Sequence, residues 1–183
     1  IRDRKESRAG AHIVIIGDPD HPEVVGICGW CMGPYTVIRT EQDALDFVFP
    51  IDKNICIVSQ TTFNYNKFKD LVEILSKKGY DIIAVNTICN ATAERQKEAE
   101  ELAAVSDAMI VIGGKNSSNS RKLFEISKNQ CENTYFIQTL EDLDLEQIQF
   151  SSSLGITAGA STPKNIIQEV LEACQKKEVL RNY

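Results

Sequence analysis

The chain has 183 residues, 43% hydrophobic and 25% charged, which places it among folded globular proteins and not among disordered or fibrous ones. Asp and Glu outnumber Lys and Arg by 26 to 20, a net charge of -6, which excludes nucleic acid as the main partner because affinity for a phosphate backbone rests on cationic side chains. No apolar run approaches the roughly 18 residues of a membrane span, and the N-terminal IRDRKESRAG is charged and unlike a signal peptide, so the expectation is a cytoplasmic protein without a membrane partner.

In chain order, β-rich runs fall at 12–16 (HIVII), 35–39 (YTVIR), 54–59 (NICIVS), 81–85 (DIIAV), 108–112 (AMIVI), 134–138 (TYFIQ) and 154–157 (LGIT). Between them, 66–78, 93–105, 121–128 and 164–177 space their apolar residues three and four apart and read as helices. Strand runs apolar nearly throughout, alternating with helices, predict an α/β fold of mainly parallel sheets covered on both faces.

The pattern repeats. A slide of 96 positions lays HIVIIGDPDHPE (12–23) over AMIVIGGKNSSN (108–119), and a slide of 99 lays 57–78 over 156–177. Two ordered blocks at nearly equal offsets predict two similar small domains of about 90 residues, each a parallel sheet flanked by helices, divided as 1–86 and 87–183.

Ligands of open parallel sheets bind beyond the carboxyl ends of the strands, so the loops there are the candidates for chemistry. In the second domain GGKNSSNS (113–120) brings Ser117, Ser118 and Asn119 to a helix start, where unpaired N–H groups and the helix dipole favour an anion. TAGASTP (157–163) adds Ser161 and Thr162 ahead of Pro163; neither loop has Walker A spacing, and each is also readable as a plain N-cap or turn. The repeat lays His21 over Ser117 and Glu23 over Asn119. If HPEV is extended, His21 and Glu23 share a face, able to bind an anion and relay protons; the competing reading is a Pro-bearing helix start with a solvated Glu. His12 lies within a strand run and reads as a core histidine.

Six cysteines in a chain long enough to form a core without crosslinks read as thiols. Cys28 and Cys31 form a C-x-x-C with no second pair to complete a zinc site, and burial or incidental spacing is the simpler reading. Cys89, between a strand and a helix, stands where a ligand thiolate could serve; Cys56, Cys131 and Cys174 read as core or helix-face residues.

Taken in order, HPEVVG (21–26), SQTT (59–62), TICNATAERQ (87–96), VIGGKNSSNS (111–120) and GITAGASTP (155–163) resemble the 4-hydroxy-3-methylbut-2-enyl diphosphate reductase family across nearly the whole chain. The resemblance implies three similar α/β domains around a 4Fe–4S cluster, of which this chain carries the second and third, with the first absent. It implies that Cys89 ligates the cluster, that His21, Ser117, Ser118, Asn119 and Ser161 hold the diphosphate of an allylic substrate, and that Glu23, with Thr61 alongside, hydrogen-bonds the substrate hydroxyl and passes on protons. Ferredoxin or flavodoxin supplies electrons in that family, and water leaves to give isopentenyl and dimethylallyl diphosphates. One cysteine does not hold a 4Fe–4S cluster, so the expectation for the chain alone is an inactive fragment without bound cluster. The alternatives are a small-anion or diphosphate-binding module without redox activity, and a C-x-x-C metal protein.

Overall fold

Seven apolar runs become seven strands, and the polar-faced segments between them become helices that cover the sheets. A computed structural model of the chain describes residues 11–50, 54–144, 148 and 153–181, so IRDRKESRAG lies outside the described residues. The elements run β1 (His12–Ile16), α1 (Pro22–Trp30), β2 (Tyr35–Ile38), α2 (Glu41–Asp46), β3 (Asn54–Ser59), α3 (Tyr65–Lys77), β4 (Asp81–Ala84), α4 (Asn90–Ala104), β5 (Ala108–Ile112), α5 (Ser118–Gln130), β6 (Thr134–Ile137), a 3-10 turn (Leu140–Asp142), β7 (Leu154–Ala158) and α6 (Lys164–Arg181).

Two compact units result, one up to Cys89 and one from Asn90. The division falls past residue 86, where the sequence put it, because the stretch after β4 stays stitched to its own unit. Val85 N–H donates to the Ile57 carbonyl at 2.8 Å, Ser59 N–H to the Thr87 hydroxyl at 2.7 Å, and Cys89 N–H to the Thr61 carbonyl at 3.2 Å.

In the first unit the sheet order is β2-β1-β3-β4 and in the second β6-β5-β7, with every neighbouring pair parallel. The repeat seen in the sequence is a repeat of structure: β1, α1, β2, α2, β3 and α3 recur in order as β5, α5, β6, the 3-10 turn, β7 and α6. Even the caps recur. Thr40 and Asp43 form a capping box at the start of α2, and Thr139 and Asp142 form one at the 3-10 turn.

The central strands β1 and β5 are buried along their whole length, as apolar-throughout runs require. In the first unit Ile13, Ile15, Val24, Cys56 and Val58 form one cluster; in the second, Ile110, Ile112, Ile137 and Val170 form another. Each fully buried Ile or Leu contributes about 1.5–3 kcal/mol relative to exposure.

Two helices lie beyond the four that apolar spacing predicts, although the helix-start reading of HPEV holds for the entry to the first. PEVVGICGW is apolar around much of its circumference and holds two glycines, so it shows no clear helical period, yet it forms α1 with Pro22 at the first helical position. α2 is only six residues, held by its capping box. The chain order in each sheet reverses beside the central strand, so the crevice at the carboxyl ends of β1 and β3, and its counterpart at β5 and β7, are the switch points where open α/β sheets take ligands.

Candidate anion site and carboxylate pair

At the first unit's switch point the loop after β1 meets the loop after β3. Gln60, 3% exposed, braces both: its N–H donates to the Ile16 carbonyl, its Oε1 accepts from Asp18 N–H at 3.1 Å, and its Nε2 donates to Thr62 Oγ1 at 2.9 Å. His21 is the N-cap of α1, its Nδ1 accepting from Glu23 N–H at 3.2 Å. The HPEV stretch is therefore a helix start and not extended backbone, which corrects the face-sharing argument for His21 and Glu23. Glu23 is not merely solvated either. Its Oε1 accepts from Thr61 N–H at 2.9 Å and its Oε2 from the Thr61 hydroxyl at 3.0 Å, a two-point grip that fixes the carboxylate at the sheet edge.

The same edge of the second unit carries α5. Ser117 is its N-cap, accepting from Ser120 N–H at 3.3 Å; Ser118 opens the helix, and Asn119 follows at 8% exposure. Among the described residues, neither Nδ2 nor Oδ1 of Asn119 has a hydrogen-bonding partner, and neither does Ser120 Oγ. Buried polar groups are nearly always paired, so an unpaired side-chain amide in the first turn of a 13-residue helix is a candidate contact for a polar ligand. Ser161 lies exposed in the turn after β7, the strand beside β5. Thr162 is tied down, its hydroxyl donating to the Ile112 carbonyl at 3.0 Å, which corrects its reading as an open anion donor.

Close packing builds this second edge. A Cβ on Gly113 would lie 2.6 Å from Ser120 Cβ and 2.2 Å from Ser120 Oγ, and one on Gly159 would lie 2.2 Å from the same Oγ, so only glycines let the two loops close around the helix start. The loop is also held at Lys115, whose Nζ pairs with Asp142 at 3.2 Å and whose carbonyl accepts from Arg121 Nε at 2.8 Å. Backbone N–H groups of Gln138 and Thr139, then Lys115, hold the Asp142 carboxyl below the usual carboxylate range. The loop's donors toward an anion are thus hydroxyls, an amide and helix N–H groups.

All six cysteines are thiols. Cys28 and Cys31 are half-buried against the first unit's core, while Cys56, Cys131 and Cys174 are buried. Cys89 is exposed, directly before α4. Among the described residues no group of three or more His, Cys, Asp or Glu is placed to hold a metal ion. A 4Fe–4S cluster takes several thiolates. Among the described residues no such set of thiolates is brought together. His12 sits at the opposite end of β1, buried against Phe47 and Phe49, its Nε2 2.8 Å from Thr36 Oγ1, and burial lowers its pKa from 6.5.

Each unit therefore gathers its own sequence-predicted residues: Glu23 and Thr61 in direct contact beside the His21 cap, and Ser117, Ser118 and Asn119 in one helical turn, with Ser161 on the adjacent strand's loop. The sequence reading passed over Gln60 and Ser120 as braces; glycines at 17, 113 and 159, each closing a strand, were the available signal.

The family model described as LytB protein matches residues 2–175. A 4-hydroxy-3-methylbut-2-enyl diphosphate reductase of Caldanaerobacter subterraneus subsp. tengcongensis is 42% identical over 165 residues, 90% of this chain and 57% of that protein. One from Clostridioides difficile is 45% identical over 162 residues, covering 88% and 58%. Among solved structures, the E-1-hydroxy-2-methyl-but-2-enyl-4-diphosphate reductase of Plasmodium falciparum aligns with a TM-score of 0.87 at 26% identity, covering 94% of this chain and 55% of that one. The chain thus spans less than two thirds of the length of the relatives it matches. On the match of its sequence along most of its length, the chain belongs to the LytB protein family.

Proposed function

We propose that the complete protein carrying this chain is a 4-hydroxy-3-methylbut-2-enyl diphosphate reductase, with 1–89 and 90–183 as its second and third α/β domains. Two electrons and two protons enter, the allylic hydroxyl departs as water, and isopentenyl or dimethylallyl diphosphate forms. The observation that carries the reading is the buried, unpaired Asn119 amide at the N-terminus of α5. With Ser117, Ser118 and Ser161 it supplies neutral donors to a diphosphate, while helix N–H groups offset part of the negative charge.

Glu23 is the proton-handling group. Thr61 fixes both its oxygens, so a proton taken up there is presented from a fixed position, and the hydroxyl that donates to Glu23 can reorient toward a substrate oxygen. The electron-carrying group of the family is a 4Fe–4S cluster, reduced by ferredoxin or flavodoxin. Cys89 is its proposed ligand from this chain, and the isolated chain is proposed to hold no cluster and to be inactive. A cytoplasmic location goes with this reading; among the described residues no helix is long and apolar enough to cross a membrane.

The test is turnover of the allylic diphosphate by the complete protein, reconstituted anaerobically and supplied with reduced flavodoxin. Wild type is expected to release both isomeric diphosphates, and Ser117→Ala with Asn119→Ala to lose activity through substrate binding. Tight diphosphate binding by a cluster-loaded protein with no turnover would favour the second reading, a diphosphate-binding module, which the neutral donors Ser117, Ser118 and Asn119 also support.

A further inference from the structure

The proposed function leaves Cys28 and Cys31 unused, and the structure gives them a geometry of their own. Cys28 lies in the last turn of α1 and Cys31 is its C-cap, with Cys31 N–H donating to the Cys28 carbonyl at 3.2 Å. Three residues of α-helix separate two Cα atoms by about 5 Å, from a rise of about 1.5 Å and a turn of about 100° per residue. That separation lies inside the roughly 4.4–6.8 Å range of disulfides. Residues three apart share a helix face, and both thiols pack against the same cluster of Ile13, Ile15, Val24, Cys56 and Val58.

Access and slack are present as well. Both cysteines are half-buried where Cys56, Cys131 and Cys174 are buried, and between and after them Trp30 is 61% exposed and Met32 66%. A Cβ on Gly29 would meet nothing within 4 Å. Cys31 has already left helical geometry, with φ -69° and ψ 126°, so its side chain can adjust without breaking the turns that position Glu23 at the other end of α1.

We propose that Cys28 and Cys31 form a dithiol modification site that closes to an intramolecular disulfide with a small disulfide such as oxidised glutathione. Cys31 Sγ donates to the Ile27 carbonyl at 3.5 Å, a bond it must give up before attacking, so Cys28 reacts first. The Cys28 thiolate attacks one sulfur of the glutathione disulfide, breaking that S–S bond and releasing one reduced glutathione. Cys31 then attacks the mixed disulfide and releases the second. The protein loses two protons and two electrons, and the oxidant gains them as two thiols.

The test uses the whole chain carrying Cys89→Ala, so that the exposed thiol consumes no oxidant. After equilibration with oxidised glutathione, alkylation and peptide mass measurement, the peptide containing residues 28–31 is expected two hydrogens lighter, with no alkyl group and no glutathione, and two of the five remaining thiols lost from the count in denaturant. Dithiothreitol restores both. In Cys31→Ser, circular dichroism unchanged, a glutathione adduct is expected to accumulate on Cys28. Full alkylation of Cys28 and Cys31 after oxidation, or a stable glutathione adduct on Cys28 with Cys31 still alkylatable, overturns the proposal.

Discussion

Replacing Asn119 with Leu should move stability and ligand binding in opposite directions. Asn119 is 8% exposed and both polar atoms of its amide are unpaired. A buried polar group without a partner costs about 1–3 kcal/mol, so in the protein without ligand the amide is a standing destabilisation. Leucine has the same branched skeleton of side-chain heavy atoms, needs no partner, and is the better helix former by a few tenths of a kcal/mol. The ligand-free second unit is expected to gain about 1–2 kcal/mol, and a unit of this size shifts its melting midpoint by about 4–8 °C per kcal/mol. Thermal unfolding followed by circular dichroism reads the gain, and the same samples titrated with inorganic pyrophosphate should show affinity weakened roughly tenfold or more, the effect of about 1.4 kcal/mol. A lowered midpoint for Asn119→Leu would overturn this assignment, since it would mean that the amide is satisfied within the ligand-free fold.

Gly113→Ala forces a methyl group to 2.6 Å from Ser120 Cβ and should destabilise the second unit by about 1–3 kcal/mol, with Ser120→Gly in the same chain recovering most of the loss in a thermal melt. Glu23→Gln in the complete protein keeps an acceptor for Thr61 N–H but removes the ionisable group, so steady-state kinetics should show kcat down by roughly 10²–10⁴ with a much smaller change in KM. His12 has its pKa lowered from 6.5 by burial, so the unfolded chain binds more protons there, and stability falls as pH drops below about 6.5. His12→Leu should flatten the midpoint against pH between 7 and 5, a window above that of Asp43 and Asp142, whose lowered pKa values make their contribution fall away only below about 3.8.

How far the sequence could be read followed from what shaped each segment. All seven strands were legible because each is an apolar, β-rich run between turn or helix signals, and the duplication was legible because β1 and β5, and then β3 and β7, keep nearly equal offsets. α1 was not, because a helix covered by sheet on one side and presenting Val25 and Trp30 on the other has no polar face to give it a period. α2 left a sequence signal in TEQD, with Thr40 and Asp43 at capping-box spacing. At the sites, spacing and resemblance named Glu23, Thr61, Ser117 and Asn119. The grip of Thr61 on both oxygens of Glu23 and the unpaired amide of Asn119 depend on how loops from separate strands meet, which residue order does not express. The HPEV stretch shows the same limit: a two-residue spacing means one face in extended backbone and a cap followed by the second helical residue in a helix.

The most direct test of the account is a calorimetric titration of inorganic pyrophosphate into this chain. Saturable binding of one pyrophosphate per chain is expected, weakened at least tenfold by Ser117→Ala with Asn119→Ala and unchanged by Cys89→Ala. Absence of binding, or binding that the Ser117 and Asn119 substitutions leave intact, would contradict it.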